Sequence, residues 1–342
     1  MKGKILIIGP NYFNFLTAAA HSCEELGYEI QVLPYDNPIH PYTTLMKWRY
    51  RFGNKEKLRS ESRAFFAQTV LSTFKNFSPD IVFIMNGEIL DAAILDFLRK
   101  TAKVAVWFFD NREKLPCAEN HVDHCDALFC FDRGDVEWYR SKGKAAYFLP
   151  QACDCEIYFP LKEERDIDIL FIGDLFYSQR RKDIMNAVIG HYPKRDIVVY
   201  GSYQPWYKGL WKWICRPHKG IYRNMNVTGA EANFLYNKAN IVLNIHRESQ
   251  MDGANPRFFE ICGSGAYQIC DRNSYTASVF PEGTVGLYSD MDELFALIDF
   301  ALHNNMEEQA RKAREELLSK HTFTRRMEEA LKVVLNEVPD CQ

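Results

Sequence analysis

Residues 4–33, KILIIGPNYFNFLTAAAHSCEELGYEIQVL, carry the pattern that decides the fold class. The apolar run Lys4–Ile8 ends at Gly9, which predicts a buried strand followed by a turn. Apolar residues then recur at helical spacing between Phe13 and Gly27, and a second strand is expected over Tyr28–Leu33. A strand, a helix and a second strand in this order predict a βαβ unit with parallel strands.

The same rhythm continues along the chain and begins again at Asp166. Short apolar segments bounded by turn residues alternate with segments of helical spacing, which predicts parallel sheets covered by helices on both faces. The proline-containing, aperiodic stretch Leu149–Pro160 indicates a connection between two domains, so we expect doubly wound, Rossmann-like domains at 1–157 and 158–342. The last predicted helix, Thr324–Val338, can cross back to the first domain. The further predicted strands are Ile81–Met85, Val104–Phe108, Ala127–Phe131, Ile167–Ile172, Ile197–Tyr200, Ile241–Ile245, Tyr267–Cys270 and Val285–Tyr288.

Composition and charge exclude several classes of protein. Against 45 Asp and Glu stand 42 Lys and Arg, and the net charge of -3 predicts no general attraction to nucleic acid. Ten cysteines are scattered along the chain, which favours free thiols in a reducing compartment. Because Gly9-Pro10-Asn11 interrupts the first apolar run, that run is too short for a signal-peptide core. A cytoplasmic protein is therefore expected.

The segment Met251–Cys270 holds the densest group of candidate binding residues. Ligands of open parallel sheets bind at the carboxyl ends of the strands, and this segment follows a predicted strand. Pro256 suits the first position of a helix and Asn255 its cap, so backbone N–H groups would face an anion such as a diphosphate. Arg257 would add a forked cationic contact. Glu260, about one turn further on, has two acceptor oxygens suited to vicinal hydroxyls.

The same rule selects other residues that follow predicted strands. His246 is either a ligand contact or a buried histidine with internal partners. Asp110 either serves as a base or acceptor-positioning group, or caps a turn. The remaining candidates are Gly173, Arg180, Arg181, Lys182, Gly201, Gly9 and Asn11. Since no Gly-x-Gly-x-x-Gly pattern follows the first strand, an NAD enzyme is not expected.

Two patterns in the second half carry a resemblance to a known family. Asp252 and Glu260 are eight residues apart, which resembles the Glu-x7-Glu signature of group 1 retaining glycosyltransferases of the GT-B fold, with Asp in place of the first Glu. The segment Asn255-Pro256-Arg257-Phe258-Phe259-Glu260, followed by Gly263-Ser264-Gly265, is similar to the CgeB-like (spore maturation protein type) glycosyltransferases. The other matching segments are Asp168–Gly173, Lys238–Asn244 and His321–Arg326.

The resemblance implies a transferase of two Rossmann-like domains that face a cleft. Glu260 would bind the ribose of a nucleotide-diphosphate sugar, and Asp252 would lie near the transferred sugar. Arg180, Arg181 or Lys182 would clamp the diphosphate. The reaction would retain the anomeric configuration and use no metal or other cofactor, because cations and a helix terminus can stabilise the leaving nucleotide.

The acceptor is left open between a glycan, a protein and a lipid. In GT-B proteins the loop of Asn11 faces the cleft, so Asn11 either contacts acceptor or phosphate or belongs to a plain turn. The basic and aromatic segment 203–223 favours either peripheral membrane contact or packing on its own domain. Two alternative functions remain: a nucleotide-sugar epimerase or hydrolase on the same fold, and a nucleotide-sugar binding protein without catalysis.

Overall fold

The computed structural model describes residues 2–11, 14–35, 55–115, 121–202 and 220–336. The chain forms two compact units, Met1–Pro150 with Phe323–Gln342, and Gln151–Thr322. The first unit thus ends a few residues before the predicted boundary after residue 157. In the second unit, Cys153 donates its backbone N–H to the carbonyl of His321, at 3.0 Å, which ties the first residues after Pro150 to this unit.

The first unit is built on a six-stranded parallel sheet in the order β2-β1-β3-β4-β5-β6. Its strands are β1 (Lys4–Gly9), β2 (Glu29–Pro34), β3 (Ile81–Met85), β4 (Lys103–Phe108), β5 (Ala127–Cys130) and β6 (Ala146–Phe148). Its helices are α1 (Phe15–Glu25), α2 (Lys55–Phe77), α3 (Ala92–Leu98), α4 (Arg133–Ser141) and α11 (Phe323–Val334), with a short 3-10 helix at Arg112–Lys114.

The central strands of this sheet form because they are apolar on both faces. All five residues of β3 are buried, as are the last five of β4, and each fully buried aliphatic side chain contributes about 1.5–3 kcal/mol. Helix α11 returns to this unit from the end of the chain. There, the ring of Phe323 packs 5.7 Å from the ring of Phe15, and Arg326 donates to the carbonyl of Pro150 at 3.1 Å.

The second unit has a five-stranded parallel sheet in the order β11-β10-β9-β7-β8. Its strands are β7 (Ile167–Ile172), β8 (Ile197–Tyr200), β9 (Ala239–Asn244), β10 (Gln268–Asp271) and β11 (Gly286–Tyr288). Its helices are α5 (Gln179–His191), α6 (Gly229–Lys238), α7 (Pro256–Gly263), α8 (Thr276–Val279), α9 (Met291–His303) and α10 (Glu307–Lys320). Since all five strands are parallel, the loops after β7, β8, β9 and β10 lie at the same, carboxyl edge of the sheet.

The predicted fold class is confirmed, with two parallel sheets and flanking helices. Among the described residues, the sequence analysis missed β6, a strand of three residues at the edge of the first sheet. Three residues are too few for a pattern of period two to stand out, and this strand is recognisable only by its pairing with β5.

Candidate functional site

Helix α7 begins as the sequence predicts, directly in front of the carboxyl edge of the second sheet. The side chain of Asn255 caps it by accepting from the backbone N–H of Phe258 at 3.1 Å, and Pro256 occupies the first turn. The amide of Asn255 also donates to the side chain of Asn244, the last residue of β9, at 2.8 Å. Strand β9 therefore fixes the direction in which the amino terminus of α7 points. In the first turn, no residue that the structure describes accepts from the N–H of Arg257.

The second unit carries a cluster of cations at this edge. Arg257 and Arg247 are half-buried, and neither guanidinium has a hydrogen bond or ion pair with a residue that the structure describes. Both lie close enough to Arg181 to act on it: burial lowers the pKa of Arg181, and the charges of Arg257 and Arg247 help to bring it to about 9. A cluster of mutually repelling cations, of which Arg247 and Arg257 have no ion pair with a described residue, attracts an anion.

Glu260 lies one turn after Arg257 on the same helix and is almost completely enclosed. Its exposure is 5%, and burial raises its pKa from 4.5 to about 7. The charge of Arg257 and the nearby hydroxyls of Tyr158 and Tyr236 offset part of this rise. The Tyr236 hydroxyl has no hydrogen-bond partner among the described residues. The pKa of Glu260 is therefore close to neutral pH, and any further hydroxyl that donates to the carboxylate stabilises its ionised form.

Two of the three basic residues predicted to clamp a diphosphate are engaged within the second unit. Arg181 is buried and donates to the carbonyls of Ile245, at 2.8 Å, and Asp174, at 3.2 Å. Lys182 donates to the carbonyl of Phe176 at 3.2 Å. Arg181 thus ties the loop after β7 to the end of β9. Diphosphate contacts by Arg181 and Lys182 stay a prediction.

Arg180, the third of these residues, pairs with an aspartate. Its guanidinium lies 3.2 Å from Oδ2 of Asp271, at the end of β10. The other carboxylate oxygen, Oδ1, accepts from the backbone N–H of His246 at 2.8 Å and from its ring nitrogen Nδ1 at 2.9 Å. His246 is buried, and its Nε2 has no hydrogen-bond partner among the described residues. The structure therefore places His246 beside Asp271, with Asp271 between it and Arg180.

The carboxylate of Glu248, a side chain of the protein itself, occupies the amino terminus of α5. The hydroxyl of Ser178 accepts from the N–H of Arg181 at 3.2 Å and donates to the carboxylate of Glu248 at 3.0 Å. Glu248 also accepts from the N–H of Arg180 at 3.0 Å. Although desolvation opposes it, these backbone and hydroxyl hydrogen bonds lower the pKa of Glu248. In this structure, Glu248 takes the helix-terminal position at which an anion binds.

Two predicted glycines hold the loops after β7 and β8 together. Gly201 has φ +130°, and a Cβ atom there would lie 1.9 Å from the carbonyl oxygen of Gly173. Gly173 donates its N–H to the carbonyl of Tyr200 at 2.9 Å. Only glycine fits at position 201. These contacts explain both residues by backbone packing, and a contact with a nucleotide stays a prediction.

Asp252 lies in the loop between β9 and α7 and is tied to the loop after β10. Its Oδ1 accepts from the hydroxyl of Ser274 and the backbone N–H of Tyr275, both at 2.7 Å. Asn273 joins the same two loops by donating to the carbonyl of Gly253 at 2.9 Å. Asp252 thus orders the rim of the site, and its predicted place near the sugar stays a prediction.

In the first unit, Asp110 is exposed at the carboxyl end of β4. The preceding N–H, of Phe109, donates to the side chain of Asn86 at 2.8 Å. Asn86, with φ +60°, follows β3 and leads to Glu88, whose carboxylate accepts from the hydroxyl of Tyr35 at 2.6 Å. The sequence analysis did not select Asn86 or Glu88, although both follow a strand that it predicted.

Gly9 and Asn11 follow β1 in the same unit. A Cβ atom on Gly9 would lie 2.7 Å from the Cβ of Met85, so glycine allows β1 and β3 to approach. Asn11 is exposed and accepts from the hydroxyl of Thr17 at 3.4 Å. Nucleotide or acceptor contacts of either residue stay predictions.

One group of three potential metal ligands occurs within the described residues. The ligand atoms of His246, Cys270 and Asp271 all lie within 4.8 Å of one another. Because Asp271 already neutralises Arg180, and Arg181 is also near, this place disfavours a further cation and we assign no metal to it.

The predicted membrane-contact segment 203–223 lies outside the described residues up to residue 219. In its described end, Tyr222 is buried and donates from its hydroxyl to the side chain of Asn186 at 3.0 Å. None of the helices that the structure describes has the length and apolarity needed to span a membrane.

Several residues of the site were not found from the sequence. Asp271, Arg247 and Glu248 follow strands that the analysis predicted, so the rule about strand ends could have included them. Tyr158 and Tyr236 could not have been found in this way. They precede β7 and lie in α6, and only the fold brings their hydroxyls to Glu260.

Comparison with known proteins bears on this edge of the second unit. A family model described as glycosyl transferase-like matches residues 180–332. The match includes Arg180, Arg247, Arg257 and Glu260 and confirms the prediction of a transferase. A comparison with curated proteins gives no match.

Solved structures of glycosyltransferases share the fold of this chain. Sucrose-phosphate synthase from Thermosynechococcus elongatus is 13% identical with a TM-score of 0.67, covering 98% of this chain and 100% of the synthase. HepE from Anabaena, solved in complex with UDP-glucose, is 10% identical with a TM-score of 0.65, covering 98% and 100%. The catalytic domain of starch synthase IV from Arabidopsis thaliana, bound to ADP and acarbose, is 8% identical with a TM-score of 0.69, covering 98% and 99%. The predicted GT-B type of fold is thereby confirmed.

Proposed function

We propose that the protein transfers a glycosyl group from a nucleoside-diphosphate sugar, and that the donor binds in front of α7. The observation that carries this proposal is the pair Arg247 and Arg257, two half-buried arginines whose guanidinium groups have no hydrogen bond or ion pair with a described residue. Arg257 lies in the first turn of a capped helix, and Glu260 follows one turn later. The arginines and the helix terminus can thus face the diphosphate of the donor, and Glu260 can face the adjoining ribose.

Each of these groups has a definite task in binding. The guanidinium groups of Arg247 and Arg257 and the open N–H of Arg257 bind the diphosphate oxygens, with charge-assisted hydrogen bonds of about 1.5–3 kcal/mol each. Glu260 accepts from the ribose hydroxyls. Since its pKa in the free protein is about 7, hydroxyls that donate to the carboxylate favour its ionised form, and binding near neutral pH releases a proton.

The same charges serve the transfer step. As the bond between the anomeric carbon and the diphosphate oxygen breaks, negative charge grows on the leaving diphosphate, where Arg257 and the helix terminus stabilise it. The acceptor oxygen forms the new bond to the anomeric carbon, and its proton passes to the leaving phosphate on the same face. We propose that this reaction retains the anomeric configuration and uses no metal or other cofactor. The acceptor is a glycan, protein or lipid hydroxyl held by the first unit, where Asp110 is its candidate positioning group.

The comparisons support this proposal in outline. The family match spans the proposed donor residues, and HepE and starch synthase IV were solved with UDP-glucose and ADP. The sequence pattern of α7 supports the CgeB-like subtype. Dependence on a nucleotide sugar, together with the free cysteines of the described residues, supports a cytoplasmic place of action.

The proposal is tested by incubating the protein with UDP-glucose, ADP-glucose, GDP-mannose and UDP-N-acetylglucosamine and measuring release of the nucleoside diphosphate. We expect release from one of the four, loss of at least about tenfold in Arg257→Ala, and transfer of the label from a sugar-labelled donor to an added acceptor. Release from none of them, with no binding of any, would contradict the proposal.

A nucleotide-sugar binding protein without catalysis is the second candidate, and one contact favours it. Asp252 replaces the first Glu of the family signature, and its Oδ1 is engaged by Ser274 and Tyr275. Binding of a nucleotide sugar without any release of nucleoside diphosphate, over hours and with a range of acceptors, would establish this function in place of transfer.

A further inference from the structure

Three residues from three elements form a connected chain of charged contacts at the carboxyl edge of the second sheet. Arg180 of α5 meets Oδ2 of Asp271 at 3.2 Å. Oδ1 of Asp271, at the end of β10, accepts from the N–H and the Nδ1 of His246, which follows β9, at 2.8 and 2.9 Å. Both carboxylate oxygens are therefore engaged, Oδ2 in an ion pair with Arg180 and Oδ1 in two hydrogen bonds from His246.

Burial divides this chain into an anchor and an exposed end. Asp271 is 5% and His246 1% exposed, whereas the side chain of Arg180 is 40% exposed. Burial alone raises the pKa of Asp271, but His246 and Arg180 outweigh it and lower the pKa to about 2. Asp271 is thus ionised at neutral pH, and the hydrogen bonds from His246 fix its position. Since an ionised carboxylate only accepts, Nδ1 of His246 carries the proton in their hydrogen bond.

The exposed end keeps most of its binding capacity. A guanidinium group has five N–H donors in a planar fork, and apart from the ion pair with Asp271 the guanidinium of Arg180 has no partner among the described residues. A long side chain that is free in solution loses rotational freedom when it binds a ligand, and a partner that already fixes it reduces this cost. Held beside Asp271 by this ion pair, the guanidinium keeps its other donors available for a ligand.

We propose that Asp271, held in place by His246, is a positioning residue that orients Arg180 toward the diphosphate of the donor. This inference rests on the proposed function. It differs from a purely structural ion pair in what it predicts. A pair with a partly exposed arginine adds little to stability, whereas an orienting pair changes affinity through Arg180 alone.

A double-mutant cycle tests the inference. Isothermal titration calorimetry measures the Kd of the four nucleotide sugars named above for the wild type, Arg180→Ala, Asp271→Asn and the double variant. We expect Arg180→Ala and Asp271→Asn each to weaken binding about five- to twentyfold, and the double variant to bind within about twofold of Arg180→Ala. Effects that multiply in the double variant, or an Asp271→Asn protein that binds like the wild type, would overturn the inference.

Two further variants control for folding. Asp168→Asn breaks another Asp–Arg pair of the same unit, in which Oδ1 of Asp168 lies 3.9 Å from Arg195. Asp168 lies near the start of β7, at the opposite end from the carboxyl edge. This substitution should leave the Kd unchanged. If Asp271→Asn does not fold, Arg180→Lys decides. Lysine keeps the positive charge but lacks the planar fork of N–H donors, so binding of the nucleotide sugar should still weaken about fivefold or more. Wild-type affinity of Arg180→Lys would refute the inference. Absence of nucleotide-sugar binding by the wild type would instead refute the proposed function.

Discussion

Replacement of Glu260 by Gln removes a titrating carboxyl group from a buried position. In the folded protein, burial raises the pKa of Glu260 to about 7, whereas its ordinary value is 4.5. Between these two pH values the folded state holds a proton that the unfolded chain has lost. The free energy of unfolding of the wild type therefore contains a contribution that falls as the pH rises from about 4.5 to about 7.

The size of this contribution follows from the rise in the pKa. One pKa unit corresponds to 1.36 kcal/mol, so the rise from 4.5 to about 7 corresponds to about 3 kcal/mol. Gln is neutral at every pH and of nearly the same shape. We expect Glu260→Gln to be within about 1 kcal/mol of the wild type at pH 5 and to be more stable at pH 8 by about 3 kcal/mol, equivalent to a rise in Tm of roughly 6–12 °C.

Thermal unfolding followed by circular dichroism at pH 5, 6, 7 and 8, at constant ionic strength and without nucleotide, measures this difference. The matched control is Glu282→Gln, which makes the same chemical change at an exposed carboxylate in the turn before β11. A Glu260→Gln protein whose Tm difference from the wild type is the same at pH 5 and pH 8, or smaller at pH 8, would refute the reasoning about burial.

Three other substitutions test the remaining contacts of the second unit. Gly201→Ala should lower the stability by more than about 3 kcal/mol in thermal unfolding, because the new Cβ would overlap the carbonyl of Gly173, whereas Gly143→Ala, also at positive φ but in open space, should cost only about 1 kcal/mol. Glu248→Gln should lower the free energy of unfolding by about 0.5–1 kcal/mol, because it weakens the cap of α5. Since the pKa of Glu248 is lowered, this loss should be present above pH 5 and disappear at lower pH. A loss that does not depend on pH would contradict this role of Glu248. Asp252→Ala should cost about 1–3 kcal/mol in urea unfolding by removing the acceptor of two hydrogen bonds, and an unchanged midpoint would show that the loop does not depend on them.

The sequence predicted the sheets well because their strands are apolar on both faces and end in glycine or polar residues. β3, β7 and β8 have the bounds that their apolar runs indicate, and α7 starts at Pro256 behind its cap. These features are local, and neighbouring residues suffice to specify them. Strand β6 escaped prediction because pairing with β5, and no pattern of its own, makes it a strand.

The site was predicted less completely, because contacts between distant segments decide the state of each side chain. Charge alone made Arg180, Arg181 and Lys182 equivalent candidates. The fold separates them, since Arg181 is buried on backbone carbonyls while Arg180 is half-exposed beside Asp271. In the same way, the carboxyl of Glu260 lies near two tyrosine hydroxyls, which no sequence motif indicates. The spacing of residues predicts which of them share a helix face, but it does not predict which side chain of another helix or strand contacts them.

The donor site in front of α7 is tested most directly by calorimetric titration of the four nucleotide sugars into the wild type, Arg257→Ala and Glu260→Gln. Arg195→Ala, which changes an arginine at the far end of the same sheet, is the control. The structure predicts saturable binding of one donor, weakened about tenfold or more by each of the first two substitutions and unchanged in the control. Binding of a donor with wild-type affinity by both Arg257→Ala and Glu260→Gln would contradict the site.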